Sequence, residues 1–579
     1  MRATIALAVA VLVYVTIRAA WMPTVHDEAR TFQQYVQTGE FLPFASHWDA
    51  GNHLLVTTWG NLVAPFFGPD RLALRAISLV GALLYLAYAA LLTRRLMDPF
   101  VRTCTAAALM ACPFLIDFFS LFRGYGISLG FFLMALYHIG SLQRGTRERD
   151  LALALLACVG MVWANLNLLL IAGPMLAIML HASRSAIPKW RMLRVLIPTA
   201  AALLFFGTYA LELRERGTLY YGLETGFVRG TLASLLTAMF GGEAPWAWVP
   251  AASLVVFIAL AWVFGRDGTP RTALLAALSI LLGFEMVSRT VLHHAFGTPF
   301  PEDRTALHLV PLMLLAFGSS LDLLKEKWHM LRWVALFLLA LPLRTVLTAN
   351  VGTTSFWPEQ AIPAEVIQHV AELQAAHNRP LVIGAYHQMA AVWSFEQWEH
   401  DLLLNPLRPY NHPDPHVELL LLDPLHDRPP EGFVKELDAG TGRLELWHHA
   451  AAIQVDSLVW DSAFHVALGE REFTEVWHPQ RTPGPGGSHL LEVELLIDAP
   501  HPLNELQLVS EWRDVDGDET FSERIPLQVM ALDIRGRKLH LARLWPAYSE
   551  RITRRVLYLW SPRSEALQAA VRLKVVALR

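Results

Sequence analysis

The sequence predicts a polytopic α-helical membrane protein of about eleven spans, followed by an extracytoplasmic α/β unit and a β-sandwich-like domain. Three observations carry this expectation. Only 17% of the residues are charged and 54% are hydrophobic, whereas an ordinary soluble domain is about a quarter charged. Apolar runs long enough to cross hydrocarbon succeed one another as far as Asn350. Beyond it the chain turns polar and rich in Pro and His, and strand-like patterns replace the apolar runs. The expected division is therefore residues 1–350, 351–450 and 451–579.

Residues 1–20 carry Arg2, an apolar stretch and the small residues Ala19 and Ala20, the pattern of a signal peptide or of a retained first span. Retention is the reading taken, because further apolar runs follow, and Arg18 is expected to snorkel at the span's end. The stretch PTVHDEARTFQQY (23–35) then places His26, Asp27 and Glu28 beside the bilayer edge. Charges there are costly unless solvated, paired or functional, and capping of a helix over 28–38 is the plain alternative. The run LLVTTWGNLVAPFF (54–67), broken by Asn61 and Pro65, reads as a helix lying at the interface. Further spans are expected near 72–93, 103–121, 126–142, 151–165, 167–183, 193–211, 249–264, 272–291, 306–323 and 331–349.

One set of connections carries Arg94 and Arg95, Arg147 and Arg149, Arg191 and Arg194, and Lys325 and Lys327. Basic loops stay in the cytoplasm, so the amino terminus is inside. The odd span count then puts His26, Asp27, Glu28 and everything after Asn350 outside the cytoplasm. In the polar region, PAEVIQHVAELQAA (363–376) has helical spacing. PLVIGA, VELLLLDP and GRLELWHH read as strands of a small α/β unit, and HLLEVELLID, NELQLVSEW and VRLKVVALR as strands of a sandwich.

The net charge of −4 leaves no basic footprint for nucleic acid, and none is expected as a partner. Cys104, Cys112 and Cys158 all fall in apolar runs, so no disulfide framework is implied. No GxxxxGKS/T loop occurs. DVDGDE (514–519) has aspartates at calcium-loop spacing, but Gly517 stands at position four and Ile525 at twelve, which favours a solvated hairpin tip.

The better constellation is the set of polar groups expected at the outer membrane face. The first loop supplies His26, Asp27, Glu28, Asp49, Asn52 and His53; Arg71 and Arg75 begin the second span. Arg123 and Tyr125 stand in FRGYG, Arg229 in the fourth outer loop, and Arg289, Glu302, Asp303 and Arg304 around the last. Interfacial Arg and Tyr often merely anchor spans, a reading open above all for Arg71, Arg229 and Arg289.

The acidic DE pair after the first span, HWDAGNHLL, FGPDRLALRAISLVGALL and LFRGYGISLGFFL together resemble the multi-spanning GT-C class of glycosyltransferases. The resemblance lies near the bacterial protein mannosyltransferases and lipid A aminoarabinose transferases. It covers roughly residues 1–350 and is most specific in the first 130. It implies transfer of a sugar, with inversion, from a polyprenyl-phosphate carrier to a glycan, lipid or protein acceptor outside the cytoplasm. It also implies a place in the inner (plasma) membrane of a bacterium. Such chemistry needs a carboxylate to deprotonate the acceptor hydroxyl and cations to meet the departing phosphate. Asp27 is the expected base, with Glu28 as helper; Arg75, Arg123 and Arg304 are expected at the phosphate. His26, Asp49, His53 and Tyr125 are expected to contact substrate. The resemblance names no certain cofactor, and use of a divalent metal is left open. Two other classes stay in view: a transporter or flippase for a lipid-linked sugar, which would show broken helices and mid-bilayer charges, and a non-catalytic anchor presenting the β-rich domain.

Overall fold

The computed structural model describes residues 2–578 except 144, 146, 185–186, 243–245, 266–269, 439–442, 452, 454, 470, 478–487, 499–505, 528–532, 534–536, 546–550, 563 and 565. In chain order the helices are α1 (Arg2–Trp21), α2 (His26–Thr31), α3 (Leu54–Phe67), α4 (Arg71–Thr93), α5 (Pro99–Met110), α6 (Pro113–Phe119), α7 (Gly124–Leu142) and α8 (Glu148–Ala164). They continue as α9 (Leu169–Ser183), α10 (Lys189–Glu215), α11 (Ala233–Phe240), α12 (Trp248–Gly265), α13 (Pro270–Phe296), α14 (Leu309–Leu324), α15 (Ala340–Leu347), α16 (Ala364–His377) and α17 (Met389–Glu399).

Two compact units emerge, and neither is continuous in sequence. The first comprises residues 1–21, 42–59 and 71–351; the second comprises 22–41, 60–70 and 352–579. The stretch after α1 that carries the acid pair thus belongs with the C-terminal residues.

The first unit is helical. The segments expected to span are helical, except that 103–121 is broken between α5 and α6 and 331–349 is a 3-10 helix (His329–Leu339) running into α15. Seven helices among the described residues are long and apolar enough to cross a bilayer. An eighth arises if α5 and α6, bent by 49° at a short break, form one span. The number falls below the expected eleven for physical reasons. Glu148, Arg149 and Asp150 charge the first turn of α8, and α14 has only 16 residues. The α5–α6 break follows from local chemistry. Pro113 cannot continue the hydrogen bonding of α5, so it opens a new helix at N1. Asp98 caps α5 by accepting the N–H groups of Phe100 and Val101. Helices α4 and α7 approach backbone to backbone. A Cβ at Gly81 would lie 2.5 Å from the Ile127 backbone, and one at Gly130 would lie 2.7 Å from the Gly81 carbonyl.

One expectation fails here. Arg18 does not snorkel: it is 1% exposed and pairs with the equally buried Asp117 of α6 at 2.5 Å. Its guanidinium also donates to the Asn350 carbonyl at 2.9 Å. Facing a buried carboxylate, the guanidinium is better satisfied inside than its apolar helix suggested.

The second unit joins an α/β layer to a β-sandwich. Strands β1 (Ile383–Tyr386), β2 (Arg408–Tyr410), β3 (Leu419–Leu422), β4 (Phe433–Asp438) and β5 (Glu445–His449) form one sheet in the order β2-β1-β3-β5-β4. β1 is parallel to both of its neighbours, and the β3, β5 and β4 pairings are antiparallel. One face buries Val366, Ile367 and Val370 of α16 with Val392 and Trp393 of α17. The other face packs Leu420, Leu422 and Val382 against Leu490, Ala542 and Val576 of the sandwich.

The sandwich strands are β6 (Val455–Leu468), β7 (Phe473–Trp477), β8 (His489–Asp498), β9 (Gln507–Asp514), β10 (Glu519–Pro526), β11 (Lys538–Trp545), β12 (Ile552–Trp560) and β13 (Leu567–Leu578). They form two antiparallel sheets, ordered β10-β9-β12-β7 and β11-β8-β13-β6. Alternate residues such as Leu491, Val493, Leu495 and Ile497 fill the core, as the period of two demands. DVDGDE is the β9–β10 hairpin tip, with Asp514 accepting the N–H groups of Asp516 and Asp518.

Candidate active site

The acid pair sits at the start of α2. Val25 is the N-cap and has no polar side chain, so the carboxylate of Glu28, three residues on, accepts the Val25 N–H at 3.1 Å. Glu28 is 2% exposed, whereas Asp27 beside it is part-exposed. The two acids therefore differ: Glu28 is buried and serves the cap, and Asp27 is half-buried, with its Oδ2 shielded from solvent. A π-helical turn, Phe32–Val36, continues α2 in place of the regular helix expected over 28–38.

Helix α17 and its flanks hold this segment. Thr24 N–H donates to Glu396 Oε1 at 2.8 Å, and His26 N–H to Gln360 Oε1 at 3.0 Å. Gln33 donates to the Ala391 carbonyl at 2.9 Å, and Phe32 meets Phe395 edge-on with centroids 5.3 Å apart. His26 Nδ1 donates to the Gln388 carbonyl at 2.7 Å. Burial lowers the His26 pKa below the ordinary imidazole value, against the pull of Asp27, so the ring is held neutral.

In the helical unit, Asp49, His53, Arg123 and Tyr125 come together. Asp49 Oδ1 accepts Gly51 N–H at 2.7 Å, and a Cβ at Gly51 would lie 3.2 Å from Asp49 Oδ1 and 3.6 Å from Arg123 Nη2. His53 Nδ1 donates to the Ala164 carbonyl at 2.9 Å, and its ring meets Tyr125 at 4.7 Å. Arg123, the N-cap of α7, is 4% exposed and lies 5.9 Å from the Tyr125 ring centroid. The glycines of FRGYG make this possible. A Cβ at Gly124 would sit 1.9 Å from the Ala164 carbonyl and 2.6 Å from His53 Nδ1, so any larger residue would displace the imidazole.

The other two expected phosphate contacts part company. Arg75 is 1% exposed and donates to the Ala19 carbonyl at 3.1 Å, tying α4 to α1. Arg304 is half-buried, donates to the Tyr221 hydroxyl at 2.8 Å and stacks over that ring at 4.3 Å. Its loop is braced by the reciprocal Leu223–Phe300 backbone pair and by Asp303 N–H donating to Ser234 Oγ at 3.0 Å. Asp303 takes left-handed backbone angles, φ 45°. Burial first, then the neighbouring Glu302, push its carboxyl up to about 6 despite Arg304.

A groove of about 660 Å³ runs beside this loop, lined by Phe227, Val228, Met286, Val287, Val291 and Phe300, with Glu224, His293 and His294 at its polar end. Among the described residues, no group of three or more His, Cys, Asp or Glu is arranged to hold a metal ion.

Sequence reasoning missed one group. Glu285 of α13 is fully buried, 3.1 Å from Arg289 and 3.4 Å from His308. For Arg289 the sequence left an interfacial anchor and a site role open; it is only 9% exposed and faces Glu285. The available signal was the i,i+4 spacing of opposite charges in an otherwise apolar helix.

No family model and no curated protein sequence matches the chain. Solved structures resemble it at low identity. They include ArnT from Cupriavidus metallidurans in the apo state, at 12% identity and TM-score 0.47, covering 77% of this chain and 97% of that one. A second structure of the same protein, bound to undecaprenyl phosphate, gives 12% identity and TM-score 0.41 over 78% of this chain and 97% of that one. Arabinosyltransferase EmbB from Mycobacterium smegmatis gives 13% and 0.32 over 99% of this chain and 64% of that one, under two thirds of its length. These neighbours are GT-C glycosyltransferases. At such identities and scores the likeness assigns no role to any residue.

Proposed function

We propose that this chain is an inverting glycosyltransferase that moves a sugar from a polyprenyl-phosphate donor to a hydroxyl-bearing acceptor on the extracytoplasmic side of the membrane. The observation that carries the reading is the split within the acid pair: Glu28 is spent on the helix cap and Asp27 is not buried with it. A general base must reach substrate, and a cap need not. Asp27 takes the proton of the acceptor hydroxyl as that oxygen attacks the anomeric carbon. The bond from that carbon to the phosphate oxygen breaks, and the electron pair leaves on the polyprenyl phosphate. Arg304, and Arg123 beside Asp49, meet the developing charge through their planar donors. Arg75, buried against α1, supports the helix packing instead. The apolar groove with its polar end suits a lipid-borne donor.

The test is an assay of the purified full chain with polyprenyl-phosphate sugars and a panel of glycan, lipid and peptide acceptors. Released polyprenyl phosphate and a product of inverted anomeric configuration are expected. A second reading, transport of a lipid-linked sugar, is favoured by the broken α5–α6 pair and by the buried charges of Arg18–Asp117 and Glu285–Arg289. Movement of an intact lipid-linked sugar between liposome leaflets, with no phosphate released, would establish that reading and overturn ours.

A further inference from the structure

We propose that Glu285 is a positioning residue for the donor phosphate: through Arg289 and His308 it fixes the loop that presents Arg304. The inference rests on the transferase reading for the role of Arg304, and on geometry alone for the clamp.

Glu285, Arg289 and His308 are 0%, 9% and 2% exposed, so their polar groups face one another rather than water. One carboxylate oxygen of Glu285 takes Arg289 Nε at 3.1 Å, and the other lies 3.4 Å from His308 Nε2. Arg289 also donates from Nη2 to the Asn167 carbonyl at 3.0 Å. Asn167, in the turn between α8 and α9, donates from Nδ2 to the Thr305 carbonyl. Thr305 closes the turn before Arg304: its hydroxyl accepts Glu302 N–H at 2.8 Å and donates to the Glu302 carbonyl at 2.7 Å. His308 is the N-cap of α14, immediately after the loop.

One buried acid therefore reaches the Arg304 turn from two directions, through Asn167 on one side and through His308 on the other. A buried ion pair is a weak source of stability but a good device for specifying one arrangement. Displacing an anion contact by an ångström is enough to lose most of its effect. The loop's own contacts explain why such a device is needed. Arg304 is only half-buried and Asp303 holds a left-handed backbone, so burial alone does not set the turn.

The experiment compares full-length wild type, Glu285→Gln, Asn167→Ala, Arg304→Ala and the double variant Glu285→Gln/Arg304→Ala. Hydrogen exchange is read on the peptides covering 165–168 and 300–308. Affinity is read with polyprenyl phosphate, the carrier without its sugar. Expected are faster exchange in both segments of Glu285→Gln and an affinity lower by about 10- to 100-fold. The double variant should bind no worse than Arg304→Ala alone, because the two act through one contact. Asn167→Ala leaves the ion pair intact and should give the same pattern, which keeps the test valid if Glu285→Gln fails to fold. Unchanged exchange, unchanged affinity or additive losses would each overturn the proposal. Carrier binding without any sugar transfer by wild type would remove the transferase reading while the clamp stands. No carrier binding at all would remove both.

Discussion

Two short segments carry the proposed chemistry, and they are held by opposite means. The acid-pair segment, 22–41, is clasped in large part by amides: Gln360, Gln388 and Gln33 exchange hydrogen bonds with backbone and with each other, and Glu396 adds a carboxylate. The Arg304 loop is braced by a buried ionic group, Glu285 with Arg289 and His308. The difference suits the two tasks. A base must gain a proton in each turnover, and a segment held by amide hydrogen bonds keeps its place whichever charge the base carries. A phosphate contact must stay charged and stay in place, and a buried ion pair is rigid as long as both partners remain ionised.

The sharpest way to break this comparison is to change the acids one at a time. Asp27→Asn should lower turnover by about 100- to 10,000-fold, with polyprenyl-phosphate binding retained. Glu28→Gln should cost about 1 kcal/mol of stability and leave most of the turnover. Steady-state rates and thermal unfolding of the same preparations decide between them. The reverse outcome would exchange the roles of the two residues, and full activity in both would reduce the pair to a cap.

On the other side of the comparison stands Arg304→Lys, which keeps the charge and loses the planar fork. A fall of about 10- to 1000-fold in kcat/KM for the donor is expected if one phosphate contact is lost. Arg75→Lys, at a buried helix–helix contact, should change stability before it changes kcat/KM. Equal kinetic losses in the two would show that exposure does not separate a ligand contact from a tether.

A smaller effect sharpens the description of the amide clasp. Glu396→Gln preserves shape but weakens the bond from Thr24 N–H, 2.8 Å in the native chain. A loss of about 1–2 kcal/mol is expected, read as a lower unfolding temperature of the full chain. No change would mean that the neutral partners alone hold the segment.

The helices and the two kinds of C-terminal structure were legible because hydropathy and period are local properties. The runs expected to span are helical apart from the break between α5 and α6, and the alternation in HLLEVELLID is that of β8. What stayed illegible depends on partners distant in sequence. Nothing near Arg18 shows that Asp117 will meet it inside the fold, and nothing near Thr24 points to Glu396. Nor does sequence spacing place residues 22–41 with the C-terminal residues. The glycines of FRGYG were seen as part of a motif, but their purpose is steric: they make room for His53 and for the Ala164 and Phe118 carbonyls. The distinction between Asp27 and Glu28 was likewise beyond reach, since adjacent acids look alike until one of them is seen to cap Val25.

The smallest effect separates the two segments by the sign of their pH dependence. Asp303 has its carboxyl raised from 3.8 to about 6 by burial and by Glu302. The folded chain then binds this proton more tightly than the unfolded chain, so stability falls as pH rises from about 4 to about 6. Two units correspond to about 3 kcal/mol at most, and partial exposure reduces the expected cost above pH 6 to about 1 kcal/mol. Asp303→Asn mimics the protonated form and accepts the same left-handed backbone. It should be more stable than wild type at pH 7.5 and indistinguishable at pH 4. His26 works the other way. Its pKa lies below 6.5 because burial disfavours the imidazolium, so it gains stability as pH rises toward that value, and His26→Gln should remove the gain. Unfolding temperatures of both variants from pH 4 to 8 check the pair of slopes. Slopes of the same sign would mean that Asp303 is not protonated in the folded loop, and the contrast between the two segments would then rest on geometry alone.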